Sequence, residues 1–172
     1  FSTFELPRVE VEEPESRFSP LVVFAMWEAP SGDLWFGTDG EGAHRYDGAS
    51  ITSYSAKDGL GGNLVRCIRG DRDGRVWIGS DGGGVSVWDG ASFRTFTSED
   101  GLCNDRIFEV YQDRTGTIWL STLGAGACRY DGTSFSPFGA AQGLTVNDLP
   151  CACGSGKIAR HCHGTGGGHV QE

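Results

Sequence analysis

Asp33-Leu34-Trp35-Phe36-Gly37-Thr38 returns as Arg75-Val76-Trp77-Ile78-Gly79-Ser80 and again as Thr117-Ile118-Trp119-Leu120-Ser121-Thr122. The three tryptophans stand 42 residues apart. Tyr46-Asp47-Gly48, Trp88-Asp89-Gly90 and Tyr130-Asp131-Gly132 keep the same spacing, as do Gly59-Leu60, Gly101-Leu102 and Gly143-Leu144. A fixed period of about 40–45 residues with four short apolar runs is the sequence mark of β-propeller blades.

The second period shows the division. Leu64-Val65-Arg66-Cys67-Ile68 reads as a first strand, and Asp71-Arg72-Asp73-Gly74 as a turn in which Asp side chains bond the backbone. Val76 to Ser80 is the second strand, without clean apolar/polar alternation, as suits a strand covered on both faces. Asp81-Gly82-Gly83-Gly84 is a tight connection to Val85-Ser86-Val87-Trp88. Asp89-Gly90, a strong hairpin cue, leads to Phe93-Arg94-Thr95-Phe96, the outer strand. No 3.6-residue apolar stripe is visible, so no helix beyond single turns is expected before residue 150.

The expected fold is all-β: a partial β-propeller of about three four-stranded blades, with a short C-terminal zinc knuckle. The repeats occupy residues 22–149, in periods 22–63, 64–105 and from 106. Residues 1–21 read as a remnant outer strand (Phe1-Ser2-Thr3-Phe4) and an acidic loop. Residues 150–164 form the knuckle and 165–172 a flexible tail. Both ends read as cut from a longer array. Closed propellers need about four to eight blades. Three therefore leave open faces, and self-association through blade edges is expected.

The formal net charge of the 172-residue chain is −9, which argues against nucleic-acid and anionic-membrane partners. No run approaches the roughly 18 apolar residues of a membrane span, and no signal peptide is visible. Trp35, Trp77 and Trp119 read as inter-blade core, and Asp71, Asp73 and Asp113 as turn formers rather than calcium ligands. Propeller binding surfaces are built from connecting loops on one face. That makes Asp39, Glu41, Asp81 and Gly83 candidates to face a small-molecule ligand. His44 aligns with Ser86 and Cys128 and has no evident partner. No catalytic dyad is visible in the repeats, so the chain is expected not to be an enzyme.

Asp-Arg-Asp-Gly-x-Val-Trp-Ile-Gly-Ser, Gly-Gly-Gly-Val-Ser-Val-Trp-Asp-Gly and Gly-Leu-x-x-Asn together resemble the two-component-regulator propeller repeat, over about residues 17–149. In that family such repeats build seven-bladed propellers in the sensor region of hybrid histidine kinases. The resemblance implies a ligand-sensing or interaction module.

Residues 150–164 read Pro-Cys-Ala-Cys-Gly-Ser-Gly-Lys-Ile-Ala-Arg-His-Cys-His-Gly. Three thiols and an imidazole within 13 residues suit one tetrahedral zinc, which would supply the folding energy of so apolar-poor a loop. The stretch is similar to the SEC-C motif, the zinc knuckle of the preprotein-translocase ATPase. The resemblance makes Cys151, Cys153, Cys162 and His163 the ligands of a structural zinc. It implies a protein partner, met by a basic surface at Lys157 and Arg160. His161 and His169 are alternative imidazoles.

Cys67, Cys103 and Cys128 share no repeat position and read as free thiols, with Cys67 in the core on the face of Val65. Free thiols and thiolate-bound zinc favour a cytoplasmic location, the periplasm being the alternative. The expected function is a non-enzymatic binding protein. The alternatives are a truncated two-component sensor region and a fragment of a propeller enzyme.

Overall fold

The computed structural model describes residues 22–144. Twelve strands form three separate antiparallel sheets, each a meander of four neighbours in chain order. Blade 1 holds β1 (Val23–Glu28), β2 (Leu34–Thr38), β3 (Ala43–Tyr46) and β4 (Ile51–Tyr54). Blade 2 holds β5 (Val65–Gly70), β6 (Val76–Ser80), β7 (Val85–Trp88) and β8 (Phe93–Phe96). Blade 3 holds β9 (Ile107–Gln112), β10 (Ile118–Thr122), β11 (Gly126–Tyr130) and β12 (Phe135–Phe138). From Gly139 the chain enters a second unit, whose described residues, 139–144, carry one 3-10 turn over Ala140–Gln142. The expected remnant strand at Phe1–Phe4 and the knuckle at 150–164 lie outside the described residues.

Local chemistry fixes each hairpin. Asp71 Oδ1 accepts the N–H groups of Asp73 and Arg75 at 3.0 and 2.9 Å, and Gly74 takes a φ of +80°. Its second oxygen accepts Trp77 Nε1–H at 2.8 Å, anchoring the turn to the central strand. Asp113 repeats this with Thr115, Thr117 and Trp119. At the outer hairpins Asp47, Asp89 and Asp131 each accept two backbone N–H groups. The aspartates are turn formers, as their spacing suggests.

Blades meet face to face. Trp35, Leu60, Ile68, Val76 and Ile78 fill the junction between blades 1 and 2, and Trp77, Leu102, Val110, Ile118 and Leu120 fill that between blades 2 and 3. All five residues of β6 are buried, at the centre of the one blade that has a described blade on each side. Trp35 and Trp77 are 2% and 1% exposed. Trp119 pairs with Tyr111 and Arg129 as Trp77 pairs with Arg69 and Val87, so the tryptophans are equivalent. Trp119 is only half-buried, since no described blade follows it.

Two local readings need correction. The first strand of blade 2 is Val65–Gly70, while Leu64 bridges Asp39 of blade 1 instead. Cys67 is buried but does not share a face with Val65. A bulge between them sends Val65 to the blade 1–2 junction and Cys67 to the blade 2–3 junction.

Candidate functional site

The β2–β3 and β6–β7 connections sit beside the segments linking one blade to the next. Gly40 and Gly42 donate their N–H groups to the Asn63 carbonyl at 3.1 and 3.0 Å, and Gly82 and Gly84 do the same to Asp105 at 3.0 and 2.8 Å. Thr38 Oγ1 donates to the Gly42 carbonyl at 2.9 Å and accepts the Glu41 N–H at 3.1 Å. Each loop is thus closed onto its own strand and onto the next linker.

This closure places the four candidate loop residues. Asp39 and Glu41 are buried and Asp81 is half-buried. Gly83 is so close to Gly61 that a side chain there would collide with the Gly61 carbonyl. The two aspartates bind Arg66 of β5 and Arg106, which directly precedes β9. Arg66 reaches Asp39 at 2.9 Å and Asp81 at 3.3 Å, and Arg106 reaches Asp81 at 2.5 Å. Arg106, then Arg66, holds the Asp81 carboxyl below the usual carboxylate range. The result is an alternating row, Asp39–Arg66–Asp81–Arg106, that fastens consecutive blades.

Beside this row lies an open depression of about 140 Å³, lined by Phe24, Met26, Arg66, Arg69 and Glu109 among others. The Arg66 guanidinium also stacks 4.4 Å above the Phe24 ring. The depression brings the Arg66 and Arg69 guanidinium groups and the Glu109 carboxylate beside the Phe24 and Met26 side chains. Sequence reading passes over Arg66 and Arg106, because neither recurs at a fixed repeat position.

His44 is fully buried, and its Nδ1 lies 2.8 Å from Ser53 Oγ, so the partner not evident in sequence exists. Its Nε2 has no hydrogen-bond partner, and burial pushes its pKa down.

Cys103 and Cys128 are joined by a disulfide, contrary to the expectation of free thiols. They need not share a repeat position to meet: the linker before blade 3 lies against its third strand. The signal was a separation of 25, which also relates Gly61 to its hydrogen-bond partner Ser86. Among the described residues Cys67 is the free thiol, and burial pushes it up to about 12. Cys151, Cys153, Cys162, His163, Lys157 and Arg160 lie outside the described residues. Among the described residues, no group of three or more His, Cys, Asp or Glu side chains is arranged to hold a metal ion.

Residues 59–82 and 101–124 match the family described as Two component regulator propeller. No curated protein matches the chain. Among solved structures, the chain is similar to the extracellular domain of a protein described as a hybrid two component system from B. thetaiotaomicron. The identity is 31% and the TM-score 0.63, over 71% of this chain and 18% of that one. A second B. thetaiotaomicron extracellular domain, described as from a one component system, is 22% identical with a TM-score of 0.63, over 74% and 19%. An inactive virginiamycin B lyase from Staphylococcus aureus shares the fold at 15% identity and a TM-score of 0.57, over 67% and 40%. The chain spans less than a fifth of the length of the two B. thetaiotaomicron domains. It carries two component regulator propeller repeats within an all-β array of four-stranded blades.

Proposed function

We propose that this chain is a non-enzymatic binding segment of a sensor-type propeller, working outside the cytoplasm. The observation that carries the reading is the phase of the family match: both matched segments start at the Gly-Leu that precedes a blade and end in the β6–β7 or β10–β11 connection. The 31% identical neighbour, described as an extracellular domain, supports the same reading. The ligand would lie along the inner strands, in the groove beside Arg66. The Cys103–Cys128 disulfide favours an oxidising compartment, the alternative to the cytoplasm. The tail completes the proposal: Cys151, Cys153, Cys162 and His163 would hold one structural zinc, with Lys157 and Arg160 facing a protein partner.

Thiol trapping in intact cells tests the compartment. Cells expressing the chain are alkylated before lysis, and the Cys103–Cys128 peptide is analysed. An oxidised pair is expected. A fully alkylated pair would place the chain in a reducing compartment and sink the extracytoplasmic reading.

A further inference from the structure

Between blades 1 and 2 a cleft opens where two repeat positions lose their usual partners. The β1–β2 turn keeps the backbone of its counterparts: Ala29 N–H donates to the Asp33 carbonyl at 2.8 Å, as Asp71 and Asp113 donate to Arg75 and Thr117 at 2.9 Å. The side chain differs. Asp71 and Asp113 accept the indole N–H groups of Trp77 and Trp119. Ala29 offers the equivalent Trp35 no acceptor, and the Trp35 indole makes no hydrogen bond among the described residues. Trp35 is 2% exposed, and what remains open of it lines this cleft. At the outer hairpins Tyr46 and Tyr130 donate their hydroxyl protons to the Gly48 and Gly132 carbonyls at 2.8 and 2.9 Å. Trp88 takes that place in blade 2 and makes no such bond to Gly90.

Both gaps border the same cleft, about 280 Å³ in volume, lined by Trp27, Trp35 and Trp88 with Ala29, Asp33 and Arg45. It shares no residue with the groove beside Arg66, so the two sites stand or fall separately. Trp27 lies across Gly70, where a Cβ would collide with its ring. Trp35 and Trp88 stand 6.5 Å apart with their planes at 58°. A flat ring stacked on one of these two meets the other at a steep angle, and aromatic pairs favour both arrangements.

The charges of the cleft are matched internally. Arg45 Nε and Nη2 both donate to Asp33 Oδ2, at 2.9 and 2.7 Å. Neither an anion nor a cation therefore meets an opposite charge that lacks a partner. Open beside the indole faces are one donor, the Trp35 N–H, and one backbone acceptor, the Gly90 carbonyl. A sugar ring carries several hydroxyls, most of which would lose water there without gaining a partner. A flat heterocycle carries a donor and an acceptor at its edge and apolar faces above and below.

We propose that this cleft binds a neutral planar heteroaromatic ring of the nucleobase type, its acceptor on the Trp35 N–H and its donor on the Gly90 carbonyl. Small-ligand pockets run from roughly 300 to 1,000 Å³, so this one suits a bare ring system. The net charge of −9 also disfavours a phosphorylated ligand.

Titrating adenine into the isotope-labelled full chain, followed by nuclear magnetic resonance, tests this. The Trp35 indole N–H signal should shift and report a Kd of about 1 mM or tighter, as suits so small a ligand. Indole, which lacks the acceptor, should bind about tenfold more weakly, and glucose and choline not detectably. Ala29→Asp restores the carboxylate found at Asp71 and Asp113, and Trp88→Tyr the hydroxyl found at Tyr46 and Tyr130. Each returns the residue used elsewhere in the repeat, so each should keep the wild-type circular dichroism while binding adenine about tenfold more weakly. An unmoved Trp35 signal, indole, glucose or choline binding as tightly as adenine, or either variant binding like the wild type would each overturn the proposal.

Discussion

Cys128 accepts the backbone N–H of Cys103 at 3.3 Å and is bonded to its sulfur, at the place where Ser86 accepts the Gly61 N–H at 2.8 Å. One repeat position thus serves as a hydrogen-bonded clasp between blades 1 and 2 and a covalent one between blades 2 and 3.

Breaking the covalent clasp should loosen blade 3. In the chain-entropy model a closed loop of this length contributes about 3 kcal/mol. Cys103→Ala/Cys128→Ala should lose about that much in urea unfolding. Cys103→Gly/Cys128→Ser, which rebuilds the Gly61–Ser86 pair, should recover about 1 kcal/mol of it. Equal midpoints for both variants would show that the hydrogen bond contributes nothing there.

Gly79 lies where two blades nearly touch. A methyl group there would sit 2.5 Å from Cys67 Sγ and 2.6 Å from Ile107 Cγ2. Gly79→Ala should therefore cost about 1–3 kcal/mol by overpacking. The equivalent residue of blade 3 is Ser121, which is exposed, so Ser121→Ala should be nearly neutral. Comparing the two thermal midpoints checks this.

Acid should destabilise the array in two steps. Burial lowers the pKa of His44 from 6.5, so the unfolded chain binds that proton more readily. The stability it contributes is full above pH 6.5 and declines as pH falls below it. His44→Ser, the residue found at position 86, should flatten this part of the curve. The second step belongs to Asp113. Hydrogen bonds from Thr115 and then Trp119 hold its carboxyl at about 2 against an ordinary 3.8, so its contribution is lost as pH falls from about 4 towards 2. Tryptophan fluorescence against pH should show both steps in the wild type and only the lower one in His44→Ser.

Metal analysis of anaerobically purified protein should find about one zinc per chain, and Cys153→Ser should bring this near zero. Chelation should leave the β circular dichroism of the blades intact, because among the described residues no cluster of His, Cys, Asp or Glu is arranged to hold a metal. Zinc modules of this size bind with about 10–16 kcal/mol, so weak, easily dialysed zinc would remove the knuckle.

The sequence revealed whatever recurs. The limits of β6, β7 and β8 are those expected, because Trp77, Asp89-Gly90 and Phe93 repeat in phase and each acts locally. Features formed between blades were harder to see. Arg66 binds an aspartate of its own blade and one of its neighbour, a relation across 27 residues with no counterpart one period later, where Phe108 stands. Asp39 was legible as a loop residue, but its burial depends on that arginine. The disulfide escaped notice because the offset within a period, rather than the repeat position, brings its two sulfurs together.

The disulfide also divides the chain mechanically. Tension applied at the two ends passes from Cys103 directly to Cys128, so residues 104–127, with all of β9 and β10, carry no load. Blade 1 has no such bypass among its described residues and can be drawn out strand by strand. Under force the array should therefore release its full length only in reducing conditions, and the length withheld otherwise should be that of the one bridged loop.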